Sequence, residues 1–331
     1  MTSTAIPGIP TAFLRTHSFR ALAGGPRLIV LGAVHGNETC GSRAITRMVG
    51  ELDSGALALQ RGAVTLVPVT NPLAYSRGQR MGERNLNRNL YPNAQPQDYE
   101  DRIANSLCPL LAEHEVLLDL HSFHTAGEAF VMVGPLDNQG TLEPFSRAAQ
   151  EQALALRLGP RRIVEGWLDT YATGVQRRLA RTAPSERAQL LSTDPRYGVG
   201  TTEYMRTQGG YGVTLECGQH DDPKAPEVAL QAIHRALAQL GMVDAPQPAA
   251  TADIQLLKLT EVIDKYHAGD QFGRAWSSYD PLRKGDCIGT RHDGSPVLAP
   301  DDGFIVFPNP AALAGNEWFY FAQASTRELG A

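Results

Sequence analysis

His35 and Glu38, three residues apart in "GAVHGNE", follow the apolar run "RLIVLGAV". A histidine leaving the C-terminal end of a buried strand points out of the sheet edge, where open α/β folds hold their ligands. A glutamate on the first turn of the helix that follows can converge on the same point. Imidazole nitrogen and carboxylate oxygen are both good zinc donors, and a catalytic site needs a third ligand plus an open position for water. His121, ending the strand "EVLLDLH", is the obvious third. A His-x-x-Glu pair by itself is commonplace; the strand-end position and the second histidine give this one its weight. The period of two along a strand puts Asp119 on the same face as His121, placed to order that histidine from behind.

Glu216 closes another apolar run, "GVTLECG", and so reaches the same rim of the sheet. Burying a carboxylate there without a partner is costly, and the task that would justify it is to take the proton of an attacking water and return it to a leaving nitrogen. Cys217, next along the strand, should point to the opposite face and belong to the core. Between the first two sites lies "NPLAYSRGQRMGERNLNRNLYP", which carries Arg77, Arg80, Arg84 and Arg88, with Asn87 beside the last. Guanidinium grips a carboxylate with two parallel hydrogen bonds and keeps its charge at any relevant pH, so an anionic substrate is implied. Arg77 and Arg84 are expected to be solvated members of this loop. His124 lies past its strand end, and the other histidines are read as surface or packing residues.

The elements that must position these groups alternate. "RLIVLGAV", "AVTLVPVTNP", "EVLLDLHSF" and "GVTLECG" read as strands; "NETCGSRAITRMVGEL", "DRIANSLCPLLAEH", "TLEPFSRAAQEQALALRLG" and "APEVALQAIHRALAQLG" read as helices. That alternation gives an α/β fold with a largely parallel sheet flanked by helices. Residues 160 to 210, rich in arginine, give no clear pattern. Residues 1–243 form the expected main domain, 244–253 a small, proline-rich linker, and 254–331 an all-β module of short runs separated by "KGD", "HDGS" and "PDDG". The chain has 331 residues, 42% of them hydrophobic, enough for a sizeable core, and a net charge of −5 without long blocks of one sign. Neither nucleic acid nor a membrane surface is suggested as partner. No apolar run approaches the roughly 18 residues of a membrane span, and the N-terminus lacks a secretion-signal layout, so a cytoplasmic address is expected. Cys40, Cys108, Cys217 and Cys287 show no Cys-x-x-Cys pair, which argues against a disulfide framework and a cysteine zinc site.

Taken in order, "GAVHGNE", "NPLAY", "RNLNRNLYP", "LDLHS" and "TLECG" resemble the succinylglutamate desuccinylase and aspartoacylase family, from about residue 27 to the end. The resemblance implies a zinc-carboxypeptidase-like α/β fold and hydrolysis of the amide of a small anionic N-acylated amino acid. It implies one zinc ion per chain on His35, Glu38 and His121, and Glu216 as general base. Arg80 would polarise the scissile carbonyl, Asn87 and Arg88 would hold a substrate carboxylate, and Arg206 would be a further carboxylate-binding arginine. The chain also departs from the family pattern. Asn85 stands where aspartate is frequent, and Ser122 follows the zinc histidine where aspartoacylases have asparagine. Tyr204 is two residues before Arg206 rather than four, and "PAALAGNEW" lacks the aspartoacylase tyrosine. Acetyl-aspartate specificity is therefore unsupported. "LRKGDCIGTRHDGSPVLAPDDGFIV" resembles the hairpin of biotinyl and lipoyl carriers, which suggests a barrel-sandwich module. Its tip "RHDGS" has no lysine for attachment, so the module is read as structural, covering the site's mouth or mediating assembly into a homo-oligomer. The alternatives are a metallocarboxypeptidase, an N-acetyl-diaminobutyrate-type deacetylase, and a non-catalytic metal-binding scaffold. Glu216 and Arg80 together argue against the scaffold, which needs neither.

Overall fold

A computed structural model describes residues 13–190 and 192–330. Strand β1 (His17–Arg20) leads into β2 (Ala23–Gly32), helix α1 (Cys40–Asp53) and β3 (Arg61–Val67). The short helix α2 (Pro72–Arg77), helix α3 (Tyr99–Ala112), and strands β4 (Val116–Phe123) and β5 (Phe130–Met132) follow. After them come α4 (Ala148–Ala155), β6 (Arg162–Glu165), α5 (Trp167–Arg181), α6 (Thr201–Thr207), β7 (Tyr211–Gln219) and α7 (Ala225–Gln239). Strands β3, β2, β4 and β7 are neighbours and all parallel. Both faces of this central sheet are covered, which is why its strands read as continuous apolar runs.

Alternation along β2 shows how the core is divided. Leu28 and Val30 face one way and pack with Ile45 and Met48 of α1 and Ile233 and Leu237 of α7. Ile29 and Leu31 face the other way, against Ile103 and Leu107 of α3 and Met205 of α6. All four β2 side chains are fully buried, each worth about 1.5–3 kcal/mol relative to exposure. Such burial fixes the register, because a slip of one residue would send each side chain to the wrong face. Cys217 lies in the α1 and α7 core, on the face away from the cavity that Glu216 lines.

Beyond residue 254 the described residues hold strands and no helix: β8 (Gln255–Asp264), β9 (Gln271–Phe272), β10 (Pro281–Leu282), β11 (Cys287–Thr290), β12 (Pro296–Leu298), β13 (Gly303–Val306) and β14 (Glu317–Ala324). They are not detached from the rest. β8 runs parallel to β6, so one sheet of eleven strands continues in the order β1, β3, β2, β4, β7, β5, β6, β8, β14, β13, β10. Strands β9, β11 and β12 form a small second sheet. Leu257 and Leu259 of β8 share a core with Phe130 and Val164 of the main sheet.

Two local expectations are corrected. The helix anticipated over 141–159 is confined to Ala148–Ala155: Pro144 and the pairing of Asn138 with Phe145 hold the preceding residues in a loop, and Asp137 Oδ1 accepts from the Ala148 N–H at 2.8 Å. The polar stretch after β3 holds the helix α2, started by the Asn71 side chain, which accepts from Ala74 N–H, and stopped at Gly78 in the left-handed region (φ 60°).

Candidate metal centre and substrate cavity

The main-chain N–H of Glu38 donates to the His35 carbonyl at 3.1 Å, so the two residues close a tight turn between β2 and α1. Glu38 therefore lies ahead of the helix, which begins at Cys40, rather than on its first turn as the sequence suggested. The intervening glycine is needed for packing: a Cβ on Gly36 would lie 2.0 Å from the backbone of Ala74 in α2. His121 arrives from β4, beside Glu216 of β7, with which it is in direct cross-strand register.

His35, Glu38 and His121 are all buried, and their donor atoms lie within 4.8 Å of one another. Each imidazole turns Nδ1 toward the carboxylate, His35 at 2.9 Å from Oε1 and His121 at 2.9 Å from Oε2. Each turns Nε2 to a fixed oxygen behind it. For His121 this is Asp119 Oδ2 at 2.9 Å, itself held by the Thr201 hydroxyl. For His35 it is Asn85 Oδ1 at 2.9 Å. Such backing oxygens fix the ring orientation of metal-binding histidines. Burial, with the charge of Arg80, lowers His35 to about 4, so it is a neutral donor at neutral pH. Burial raises Glu38, but the two histidines outweigh it and hold the carboxyl well below its usual range. Burial lowers His121, but the charges of Asp119 and Glu38 outweigh it and hold the imidazole well above its ordinary value, so that a metal ion would displace its proton. Two imidazoles and one carboxylate suit a catalytic zinc site with three protein ligands.

Glu216 Oε2 is buried and has no hydrogen-bond partner among the described residues. Burial and then the negative charge of Glu38 raise its carboxyl to about 8, against the pull of His121 and Arg80. Arg80 donates from Nη1 to Glu38 Oε1 at 2.8 Å. His35, Arg80, His121 and Glu216 line one cavity of ≈ 540 Å³, which also holds Asn87, Arg88, Trp167 and Tyr320.

The loop between Glu38 and His121 is organised from within. Arg84, expected to be solvated, bridges Asp98 at 2.7 Å and Asp101 at 2.9 Å. Glu100 in α3 accepts from three successive N–H groups, of Gly82, Glu83 and Arg84. Asn85 accepts from the Asn87 N–H at 2.9 Å, and Asn87 Oδ1 from the Thr201 N–H at 2.9 Å, which ties the loop to α6. The Arg88 guanidinium sits 4.6 Å from the Trp167 ring centre and has no acidic partner among the described residues.

Arg206 requires a correction. Its side chain lines the cavity, yet Nε donates to Glu151 at 2.8 Å, Nη1 to Glu143 at 2.6 Å and Nη2 to the Gly212 carbonyl at 2.8 Å. A guanidinium held on three sides in this way does not present a free fork to a substrate carboxylate. The sequence placed the arginine ten positions before Glu216 without revealing the two glutamates that occupy it.

Other groups at the site were not anticipated. Asn85, met only as a departure from the family pattern, backs His35. His220, read as a surface or packing residue, touches Ser122 Oγ through Nδ1 at 2.8 Å and His124 Nδ1 through Nε2 at 2.9 Å. Glu317 and Tyr320, from the last strand, line the cavity. No local spacing signals them, because their place depends on β14 joining the main sheet through β8.

Residues 24–162 match the family model described as the succinylglutamate desuccinylase/aspartoacylase catalytic domain. His35, Glu38, Arg80, Asn87, Arg88 and His121 fall within the matched segment; Arg206 and Glu216 lie beyond it. A search of curated proteins gives no match. Among solved structures, the chain is similar to a succinylglutamate desuccinylase/aspartoacylase from Rhodobacter sphaeroides, with a TM-score of 0.70 at 16% identity over 94% of this chain and 90% of that one. It is also similar to the product-bound ectoine utilization protein EutE (DoeB) from Ruegeria pomeroyi, with a TM-score of 0.67 at 18% identity over 93% and 88%. An aspartoacylase family protein from Mesorhizobium loti gives 0.65 at 20% identity over 95% and 90%. At these identities the structural likeness establishes the fold, a helix-flanked mixed sheet. The chain thus carries, over residues 24–162, a segment that matches the catalytic-domain model of the succinylglutamate desuccinylase/aspartoacylase family, and it shares the fold of these solved structures nearly end to end.

Proposed function

We propose that the chain is a zinc-dependent amidohydrolase that cleaves the amide of an N-acylated amino acid. The observation that carries this reading is the convergence of buried His35, Glu38 and His121 beside Glu216, whose Oε2 has no hydrogen-bond partner among the described residues. His35, Glu38 and His121 would hold one zinc ion per chain. Bound there, zinc supplies a Lewis acid for the acyl oxygen and makes a nearby water more acidic. Glu216 takes a proton at Oε2 from the attacking water and returns it to the amide nitrogen as the C–N bond breaks, giving a carboxylic acid and a free amine.

Arg80, fixed beside the centre through Glu38, points its charge at the acyl oxygen and stabilises the developing oxyanion. Asn87 and Arg88 hold the substrate α-carboxylate, with Trp167 supporting the guanidinium by stacking. Arg206 braces the wall of the cavity. In this reading residues 1–243 carry the hydrolase machinery, 244–253 connect, and the β segment from 254 closes the cavity, which favours single acylated amino acids over long peptides.

The test is metal analysis of the purified protein joined to assays on N-acetyl, N-succinyl and N-formyl amino acids. Zinc near one equivalent per chain is expected, with cleavage of at least one substrate. Glu216→Gln should keep the zinc and lower kcat by about 10²–10⁴-fold. A Glu216→Gln enzyme that still turns over at the wild-type rate would remove the mechanism.

A further inference from the structure

The charges lining the cavity can be paired off. Arg80 is bound to Glu38, Arg84 to Asp98 and Asp101, and Arg206 to Glu143 and Glu151. Glu203 accepts from the Gly200 N–H, and Glu83, exposed, accepts from the Tyr99 N–H. Glu216 is assigned to the proton transfer. Arg88 is left without an acidic partner among the described residues, and Glu317, at the start of β14, has only a long ion pair.

Glu317 Oε1 is buried without a hydrogen-bond partner among the described residues. Its nearest cation, Arg178 Nη2, is 3.7 Å away and already donates to Asp264 at 2.9 Å. On the same strand, Tyr320 is buried, lines the cavity, and its hydroxyl likewise has no partner among the described residues. An unsatisfied carboxylate oxygen and an unsatisfied phenol on one strand face one cavity, and the carboxylate calls for a donor that the described residues do not provide. The surrounding wall is aromatic: Trp167 lies 5.4 Å and Phe307 6.4 Å from the Tyr320 ring centre. Phe307 is held in the left-handed region at φ 51°, a conformation bulky side chains rarely adopt, and residues kept there cluster at ligand sites. Carboxylate, phenol and aromatic faces together are the chemistry that recognises an organic cation.

We propose that the amino acid released by this enzyme has a basic side chain. Its cationic head docks on Glu317 and Tyr320 among the aromatic rings, while the α-carboxylate lies on Arg88. The α-nitrogen is acylated and uncharged in the substrate, so the cation must come from the side chain. This rests on the deacylase reading and adds the class of amino acid to it.

Nα-acetyl-lysine and Nα-acetyl-norleucine have nearly the same shape and differ in the ammonium group. The zinc-loaded enzyme should favour the lysine derivative by at least about tenfold in kcat/KM, roughly the contribution of one charge-assisted contact. That ratio should fall toward one in Glu317→Gln and fall in part in Tyr320→Phe. Calorimetric binding of the product lysine against norleucine gives a second readout, independent of turnover. Equal kcat/KM for the two derivatives, a preference for Nα-acetyl-glutamate, or an unchanged lysine preference in Glu317→Gln would overturn the basic side chain and leave the deacylase reading standing. If no substrate in the panel is cleaved, the deacylase reading falls, and the calorimetry alone decides the subsite: lysine binding above norleucine supports it, and equal binding removes it.

Discussion

Arg206 shows how one side chain changes role once its neighbours are known. It is buried with Glu143, Glu151 and Glu203 around it. Burial raises Glu143 to about 7, and the Arg206 charge limits that rise. Removing one partner of such a cluster leaves uncompensated buried charge, a loss of about 3–5 kcal/mol. Arg206→Ala should accordingly lower stability in urea unfolding by that order, and Arg206→Lys should recover part of it, with KM per folded molecule little changed. A variant of full stability with a raised KM would return Arg206 to the substrate. His35, His121 and Glu216 were legible as residues because each follows an apolar run, and a strand end has one place to go; Glu38 was legible only from its spacing to His35. Asn85 and Glu317 were not, because each gains its meaning from a contact with a residue far along the chain.

At the scale of elements, turns carry much of the order in the β segment. Asp270 caps a turn after β8: it accepts from the N–H groups of Tyr266 at 2.8 Å and His292 at 3.0 Å, and from Arg291 at 2.8 Å. Burial alone would raise its carboxyl, but Arg291 and these backbone donors hold it at about 2. The folded state thus binds the proton less readily than the unfolded chain, whose ordinary value is 3.8. Stability from this group is complete above about pH 4 to 5 and is lost as pH falls through about 2. Asp270 is buried, but its partners Arg291 and His292 reach solvent, so the contribution is on the order of 1–2 kcal/mol. Asp270→Asn should lower the unfolding free energy by that amount at pH 7, and the gap should close by about pH 2. A gap that stays constant across that range would refute the assignment. The sequence marked this region as turn-rich from its Gly and Asp dipeptides, but the Asp270 to Arg291 link joins two turns and is invisible in either alone.

For the whole molecule, the important fact is that a single sheet runs from β1 to β10. Strand β8 satisfies the edge of β6 and buries Leu257 and Leu259 against Phe130 and Val164. A chain ended at residue 253 would leave that edge unpaired and that core open, an arrangement prone to aggregation. The truncated chain should be insoluble or lack a cooperative melting transition. A soluble, cooperatively folded fragment would instead mean that the β segment is an independent domain. Among the described residues, no helix is long and apolar enough to cross a membrane.

By itself the sequence determined the helix-flanked sheet and the four side chains that converge at its rim, because apolar periodicity fixes which face each residue takes and where each strand ends. The arginine grips, the oxygens behind the two histidines and the unpaired carboxylate of Glu317 were decided only in three dimensions. Hydrogen bonds and ion pairs act over about three ångströms. Whether a charged group is free for a ligand or already taken depends on neighbours that the fold, and no local pattern, brings within that reach.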